Sequence, residues 1–365
     1  MGLKCGIIGL TNVGKTAIFN CFSNTKGEVT KFSFSTNKSN IGTVEVPDSR
    51  LYELEKRQPT QRIVKTVVDI IDIPGLAKGA SKGEGIGNKF LADLRNTDAI
   101  IHVLRCFDDD NLPHIEGSID PIRDKELVDF ELQVQDLESI EKKIVKVNKL
   151  IKVGDKEAKK ISETLERIKA HLENLNPVST CELSQEELGY VKDLQLLTLK
   201  PVLYVCNVDE KSAASGNKYS DAVKAALKNE KTDILIIAAA LESDIAELET
   251  EEERKEFLQD AGLSEPGVNK LIFSAYSLLN LQTFFTIGEK EIRAWTIKKC
   301  DTAPEAAGVI HSDLERGFIR AEVIKYKDFI ELGTELKCKE KGKLYVEGKK
   351  YIVEDGDILN IRFNV

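Results

Sequence analysis

The chain has 365 residues, 41 % hydrophobic and 31 % charged, with a formal net charge of −9. That is an ordinary globular mixture, long enough for two or three domains. It holds no apolar run near the roughly 20 residues that span a bilayer and no signal-peptide pattern before its first strand. The acidic balance argues against coating of nucleic acid by the whole surface, although a local basic patch could still bind it. Seven scattered cysteines without a C-x-x-C pair are expected to be reduced and mostly buried in a cytoplasmic protein. They suggest neither zinc nor a thiol nucleophile.

The first predicted strand is the apolar run Lys4-Cys5-Gly6-Ile7-Ile8. It leads into Gly9-Leu10-Thr11-Asn12-Val13-Gly14-Lys15-Thr16 and then a helix beginning Ala17-Ile18-Phe19-Asn20. Strand, G-x-x-x-x-G-K-T and helix in that order make a phosphate loop for a nucleoside triphosphate with magnesium. Gly9 and Gly14 let backbone N–H groups turn inward around the phosphates. The helix N-terminus puts its positive end beneath them. Lys15 is placed to reach the β- and γ-phosphates, and the Thr16 hydroxyl to ligate magnesium. The binding candidates here are Asn12, Val13, Gly14, Lys15, Thr16 and Ala17.

Residues 23–40 are polar and contain Phe32-Ser33-Phe34-Ser35-Thr36, which suits a mobile loop beside the phosphates. Strands are predicted over 41–46, stopped by Pro47-Asp48, and over 63–72. The second ends in Asp72-Ile73-Pro74-Gly75, a D-x-x-G 56 residues beyond Thr16. Asp72 would hold magnesium through water, and the Gly75 N–H would meet the γ-phosphate. Gly75, Gly79, Gly83, Gly85 and Gly87 follow. A run so rich in glycine needs a ligand to stiffen it and reads as a second switch segment. Strands at 99–104, 201–206 and 233–238 alternate with helical stretches, which predicts an α/β fold with a parallel sheet covered on both faces.

Two segments stand apart from that sheet. Leu137, Ile140, Ile144, Val147 and Ile151 keep a heptad spacing, resumed after Gly154-Asp155 by Ile161, Leu165, Ile168, Leu172 and Leu175. This predicts an antiparallel helical hairpin. Between Lys142 and Lys160 lie eight lysines against Asp155 and Glu157, a net +6 near the hairpin tip. Two readings stand: a solvated helix face, or a contact with nucleic-acid phosphates. The final residues change to short strands at 294–297, 320–324, 343–346, 351–353 and 358–363, with a turn at Glu354-Asp355-Gly356-Asp357. They predict a small α+β domain whose residues 283–365 hold 15 basic and 15 acidic side chains, a balance suited to protein contact or structured recognition.

The base pocket follows the strand Val202-Leu203-Tyr204-Val205-Cys206. Guanine-specific switches carry N-K-x-D there; this chain has Asn207-Val208-Asp209-Glu210. A carboxylate one methylene longer cannot keep the bidentate geometry on guanine, a loss on the order of 2–3 kcal/mol. The Asn207 amide could serve adenine N6 and N7, so the pattern points from GTP towards ATP. The glutamine that orients water after D-x-x-G in small switches is Leu76 here, so unstimulated hydrolysis should be slow. His114, in the loop Asp108 to His114, is a candidate replacement.

These residues resemble the Obg-like ATPases, also called YchF proteins. The likeness runs through Asn12 to Thr16, Phe34-Ser35-Thr36, Asn40-Ile41-Gly42, Asp72 to Phe90, His102 to Phe107, Asn207 to Glu210, Phe318 to Val323 and Arg362 to Val365. The resemblance implies a Rossmann-like P-loop domain (1–120 and 200–280), an inserted antiparallel coiled-coil arm (121–199) and a C-terminal α+β TGS domain (281–365). It implies ATP preferred over GTP, slow hydrolysis, and ribosome association through rRNA and ribosomal proteins in regulating translation or stress responses. Lys15, Gly75 and His114 take catalytic roles, and Thr16, Thr36 and Asp72 hold magnesium. Asn207, with the Val208 backbone, reads adenine. In related switches an asparagine at Asn12 helps hold potassium against the phosphates. Neither membrane nor DNA is expected, and a monomer is. The family usually has proline at Thr11 and Ser33 and Ser-Thr at Thr16-Ala17; Thr16 keeps the hydroxyl, while Ser33 loosens the first switch. A GTPase of ribosome assembly and a non-hydrolysing ATP-gated scaffold are the competing readings.

Overall fold

A computed structural model describes residues 3–24, 40–73, 86–230 and 232–364. The segments carrying Ser33 and Thr36, and Gly75, Leu76, Gly79, Gly83 and Gly85, lie outside them. The chain divides into two compact units, Met1–Val44 with Asp69–Leu271, and Glu45–Val68 with Ile272–Val365.

In chain order the elements begin β1 (Leu3–Ile8), α1 (Lys15–Asn24), β2 (Asn40–Glu45), α2 (Ser49–Arg57), β3 (Ile63–Val64), β4 (Val67–Asp72), α3 (Ile86–Arg95) and β5 (Ala99–Cys106). They continue with α4 (Pro121–Ile151), α5 (Lys156–Glu173), β6 (Val202–Val208) and β7 (Ile234–Ile237). The remaining strands are β8 (Leu281–Ile287), β9 (Ile292–Lys298), β10 (Phe318–Lys325), β11 (Leu344–Glu347) and β12 (Asp357–Phe363), with short helices between.

The first unit is built on a six-stranded sheet of order β2-β4-β1-β5-β6-β7. β1, β5, β6 and β7 pair in parallel. β5 is buried at every position, as a central parallel strand covered on both faces must be, which explains its near-continuous apolar sequence. Edge strand β2 instead alternates buried and half-buried residues from Gly42 to Glu45.

α4 starts on Pro121, with Asp120 accepting hydrogen bonds from the N–H groups of Ile122 and Arg123. Proline at N1 and aspartate at the cap suit the orphan donors of a helix start. The helix runs 31 residues, and beyond Ser139 it packs against α5. Ile140, Ile144 and Val147 meet Ala158, Leu165, Ile168 and Leu172. Gly154 turns the chain at φ +89°, and Asp155 caps α5 through the N–H groups of Glu157 and Ala158. At the hairpin root, Arg95 closes α3 and donates to Gln135 O at 3.2 Å, Ser139 Oγ at 2.9 Å and Leu194 O at 3.0 Å.

Two sequence expectations change. The apolar run 63–72 is not one strand. β3 pairs with β9 through Ile63 and Ile292, whereas β4 joins the first sheet. Between them Thr66 O accepts from Val46 N at 2.9 Å, Lys65 pairs with Glu45 at 2.9 Å, and Thr66 Oγ1 meets Thr296 Oγ1. Residues 351–353 form no strand, only a bridge of Ile352 to Thr302.

The segment 45–68, read from sequence as part of the nucleotide domain, belongs with the C-terminal unit. Its physical reason is α2. The helix buries Leu51 and Leu54, three residues apart on one face, among Phe285, Ile292, Phe329 and Ile358. Arg50, next to its N-terminus, forks between Asp48 at 2.8 Å and Asp355 at 2.7 Å. The second sheet runs β11-β10-β12-β8-β9-β3. Its other face is covered by Ala303, Ala306 and Ala307 against Phe284, Phe318 and Val323.

Leu54→Ala is expected to lower the stability of this unit by roughly 2–5 kcal/mol in urea unfolding. A residue range cut at 281 should lose the same core contacts and unfold at lower urea than one that retains 45–68.

His102 on β5 is 1 % exposed and lies tilted against Tyr204, with ring centroids 5.5 Å apart. Burial, helped by the charges of Lys125 and Lys15, lowers its pKa to about 3. The unfolded imidazole protonates first on acidification, so the contribution is complete above about pH 6.5 and is lost as pH falls towards 3. By pH 4.5 this amounts to about 2–3 kcal/mol. His102→Leu should flatten the fall of unfolding free energy between pH 6.5 and 4.5 by about that amount; an unchanged slope would assign acid sensitivity to other groups.

Candidate functional site

The phosphate loop links the C-terminal end of β1 to the N-terminus of α1, with Gly9, Asn12 and Gly14 at φ +149°, +63° and +96°. Gly9 and Gly14 are required by close neighbours as well as by conformation. A Cβ on Gly9 would stand 2.4 Å from Val103 O, and one on Gly14 would stand 2.1 Å from Asn207 Nδ2. Asn12 is a residue type that tolerates the left-handed region.

Val13 is buried and Ala17 half-buried on α1. Lys15 is 7 % exposed, and its Nζ donates to Leu10 O at 2.6 Å. Burial lowers its pKa to about 8, opposed by the charge of Asp72. An ammonium held away from water interacts more strongly with a phosphate than an exposed one.

The metal candidates meet where α1 starts and β4 ends. Thr16 Oγ1 donates to Asp72 Oδ2 at 3.1 Å. Asp72 Oδ1 is buried without a hydrogen-bond partner among the described residues. Burial raises the Asp72 pKa, offset by Thr16, Lys15 and Asn40. A hydroxyl beside a carboxylate oxygen that meets no donor is a hard-oxygen pair suited to magnesium, whose remaining ligands would be phosphate and water. Among the described residues no cluster of three His, Cys, Asp or Glu side chains forms a metal cage. Thr36 and Gly75 lie outside the described residues.

Asn207 holds this loop. Its amide is 4 % exposed; Nδ2 donates to Val13 O at 2.9 Å and Oδ1 accepts from Ala239 N at 3.0 Å. The sequence reading gave both ends of the amide to adenine. In the structure both ends are committed to main chain, because the C-terminal end of β6 lies directly behind residue 13. Val208 is buried in the apolar cluster with Leu104 and Val223. Glu210 is exposed at the start of a short 3-10 turn, and Asp209 caps that turn through Ser212 N. The buried side chain of Val208 offers no shelf for guanine.

His114 differs from expectation as well. Its side chain is 3 % exposed. Nδ1 accepts from Glu116 N at 3.1 Å, so Nε2 carries the proton and donates to Asp124 Oδ2 at 2.8 Å. Arg123 holds the other Asp124 oxygen at 2.9 Å. A histidine with both nitrogens engaged cannot take a proton from water until that network opens.

Its neighbour touches the phosphate loop instead: Asn12 Nδ2 donates to Pro113 O at 3.3 Å. The acceptor orients the amide and leaves Asn12 Oδ1 as an available oxygen type for a monovalent cation. Pro113 and Ala239 carry no side-chain signal, and sequence reasoning missed both. Arg105 was missed as well: the strand was read as ending at residue 104, although an arginine directly after so apolar a run was the available signal.

A family model described as "50S ribosome-binding GTPase" matches residues 4–179, and one described as "Protein of unknown function (DUF933)" matches 281–364. The proteins named Ribosome-binding ATPase YchF of Haemophilus influenzae and Bacillus subtilis are 49 % and 47 % identical to the chain, with each chain covered in full. The solved Schizosaccharomyces pombe YchF GTPase superposes with a TM-score of 0.87 at 34 % identity, covering 99 % of this chain and 98 % of that one.

Asn207→Ala is expected to weaken ADP and GDP binding alike, by roughly tenfold, because it releases the loop rather than a base. Calorimetry with both nucleotides checks this; a loss confined to ADP would return Asn207 to base reading.

Proposed function

The chain belongs to the YchF family, and from that premise we propose that it is an ATP-hydrolysing P-loop switch that binds ribosomes. The observation that carries the chemistry is the meeting of Thr16, on the exposed side of the phosphate loop, with buried Asp72, beside buried Lys15. Lys15 would hold the β- and γ-phosphates, and Thr16 and Asp72, joined by Thr36, would hold magnesium. The ion would supply charge neutralisation on the transferred phosphoryl group. Gly75 N–H would complete the contact to the γ-phosphate, and Asn12 Oδ1 would face potassium. Leu76 cannot orient water, so turnover is slow until a partner completes the site. His114 could take that role only after leaving Asp124 and Glu116.

The relatives' names divide between ATPase and GTPase. Exposed Glu210 and buried Val208 favour adenine, since neither can make the paired bonds and shelf that guanine requires. Competition calorimetry with ADP and GDP is expected to give tighter ADP binding; tighter GDP binding would overturn the ATPase reading. Glu210→Asp with Val208→Lys should shift preference towards guanine.

The helical insertion 121–199 would act as a coiled-coil arm, and residues 281–365, completed by 45–68, as a TGS domain. Of the eight lysines near the arm tip, Lys142, Lys146, Lys149, Lys152, Lys156, Lys159 and Lys160 are exposed. Among them stand exposed Val145, Leu150 and Val153, the last 80 % exposed. Apolar side chains interleaved with cations favour a docking surface over a merely solvated face. Charge reversal at Lys142, Lys146 and Lys149 should weaken binding to purified ribosomes and lower its salt slope by about three. An unchanged slope would return the lysines to a solvating role. Among the described residues no helix is long and apolar enough to cross a membrane.

A further inference from the structure

Arg105, next to the C-terminal end of β5, is 1 % exposed. Among the described residues no carboxylate pairs with it. Burying an unpaired cation is costly, and an apolar side chain would avoid that. Its guanidinium instead donates to three main-chain carbonyls of the following loop: Phe107 O at 3.2 Å, Leu112 O at 2.8 Å and Asp109 O at 3.3 Å. It also lies 4.6 Å from the Phe107 ring centroid. Three donors on one planar fork fix where residues 107–112 run, a geometry that lysine cannot reproduce.

What that loop presents is Pro113 O, the acceptor for Asn12 Nδ2. Asn12 and Val13 are thus held from two adjacent strand ends, Val13 by Asn207 on β6 and Asn12 through the loop that Arg105 shapes. Arg105 and Asn207 are register partners across β5 and β6.

We propose that Arg105 is a positioning residue for the nucleotide. It seats the 107–113 loop so that Pro113 holds Asn12, and with it the N–H groups that cradle the phosphates. This rests on the reading of the loop as an ATP site.

The test is a double-mutant cycle on the full chain, read as KM for ATP and calorimetric Kd for ADP. Asn12→Gly keeps the positive φ and deletes only the amide. Arg105→Lys keeps the charge and loses the fork. Each is expected to raise KM and Kd by about five- to tenfold, with kcat at saturating ATP changed less. The double variant should be no worse than the weaker single, because both break one connection. Phe107→Leu, which removes only the aromatic shelf, should give a smaller rise that also vanishes on Asn12→Gly. It serves if Arg105→Lys does not fold.

Multiplying effects, or an Asn12→Gly variant with unchanged KM and Kd, would overturn the assignment. Failure of the unsubstituted chain to bind ADP would instead overturn the nucleotide reading on which it rests.

Discussion

A buried amide behind the phosphate loop is the contact on which the site depends. Asn207 joins the Val13 carbonyl to the Ala239 N–H across three separate stretches of chain. Both bonds are buried, where a hydrogen bond is electrostatically stronger than in water. Gly14 is the counterpart of this arrangement, since the amide occupies the space where its Cβ would lie. The loop's glycine pattern therefore records two demands: room for phosphate on one side and room for Asn207 on the other.

Much of the architecture was legible because it is local. The phosphate loop announces itself by spacing, the central strands by unbroken apolar runs, and the hairpin by a heptad that continues across Gly154. The split between β3 and β4 was not legible. Ile63 to Asp72 has strand character throughout, and only pairing with partners far along the chain separates its two halves. The run 351–353 failed for the opposite reason: its residues favour strand, but Ile352 alone finds a bridging partner.

Within the site, residue types were easier to read than directions. Lys15, Thr16 and Asp72 lie together: Thr16 bonds Asp72, and the charge of Lys15 acts on the same carboxylate. Asn207 and His114 were recognised as hydrogen-bonding groups, but sequence carries no record of which way such a group faces. Each turns towards main chain or a neighbouring carboxylate, because burial leaves few other acceptors and donors within reach. Arg105 shows the same limit. An arginine at the end of an apolar strand signals a buried task, and the task is defined by carbonyls that leave no mark in the sequence.

The split of residues 45–68 from the unit they precede has a consequence for the order of events during synthesis. Arg62 and its partner Glu291 are 229 residues apart, so Leu51 and Leu54 leave the ribosome long before their core exists. At elongation speeds of roughly 5–20 residues per second that interval is on the order of tens of seconds. Through it the nucleotide domain can form on either side of an unfinished amphipathic helix. The second core closes only when the last strands arrive, making this unit a late report that the whole chain has been translated.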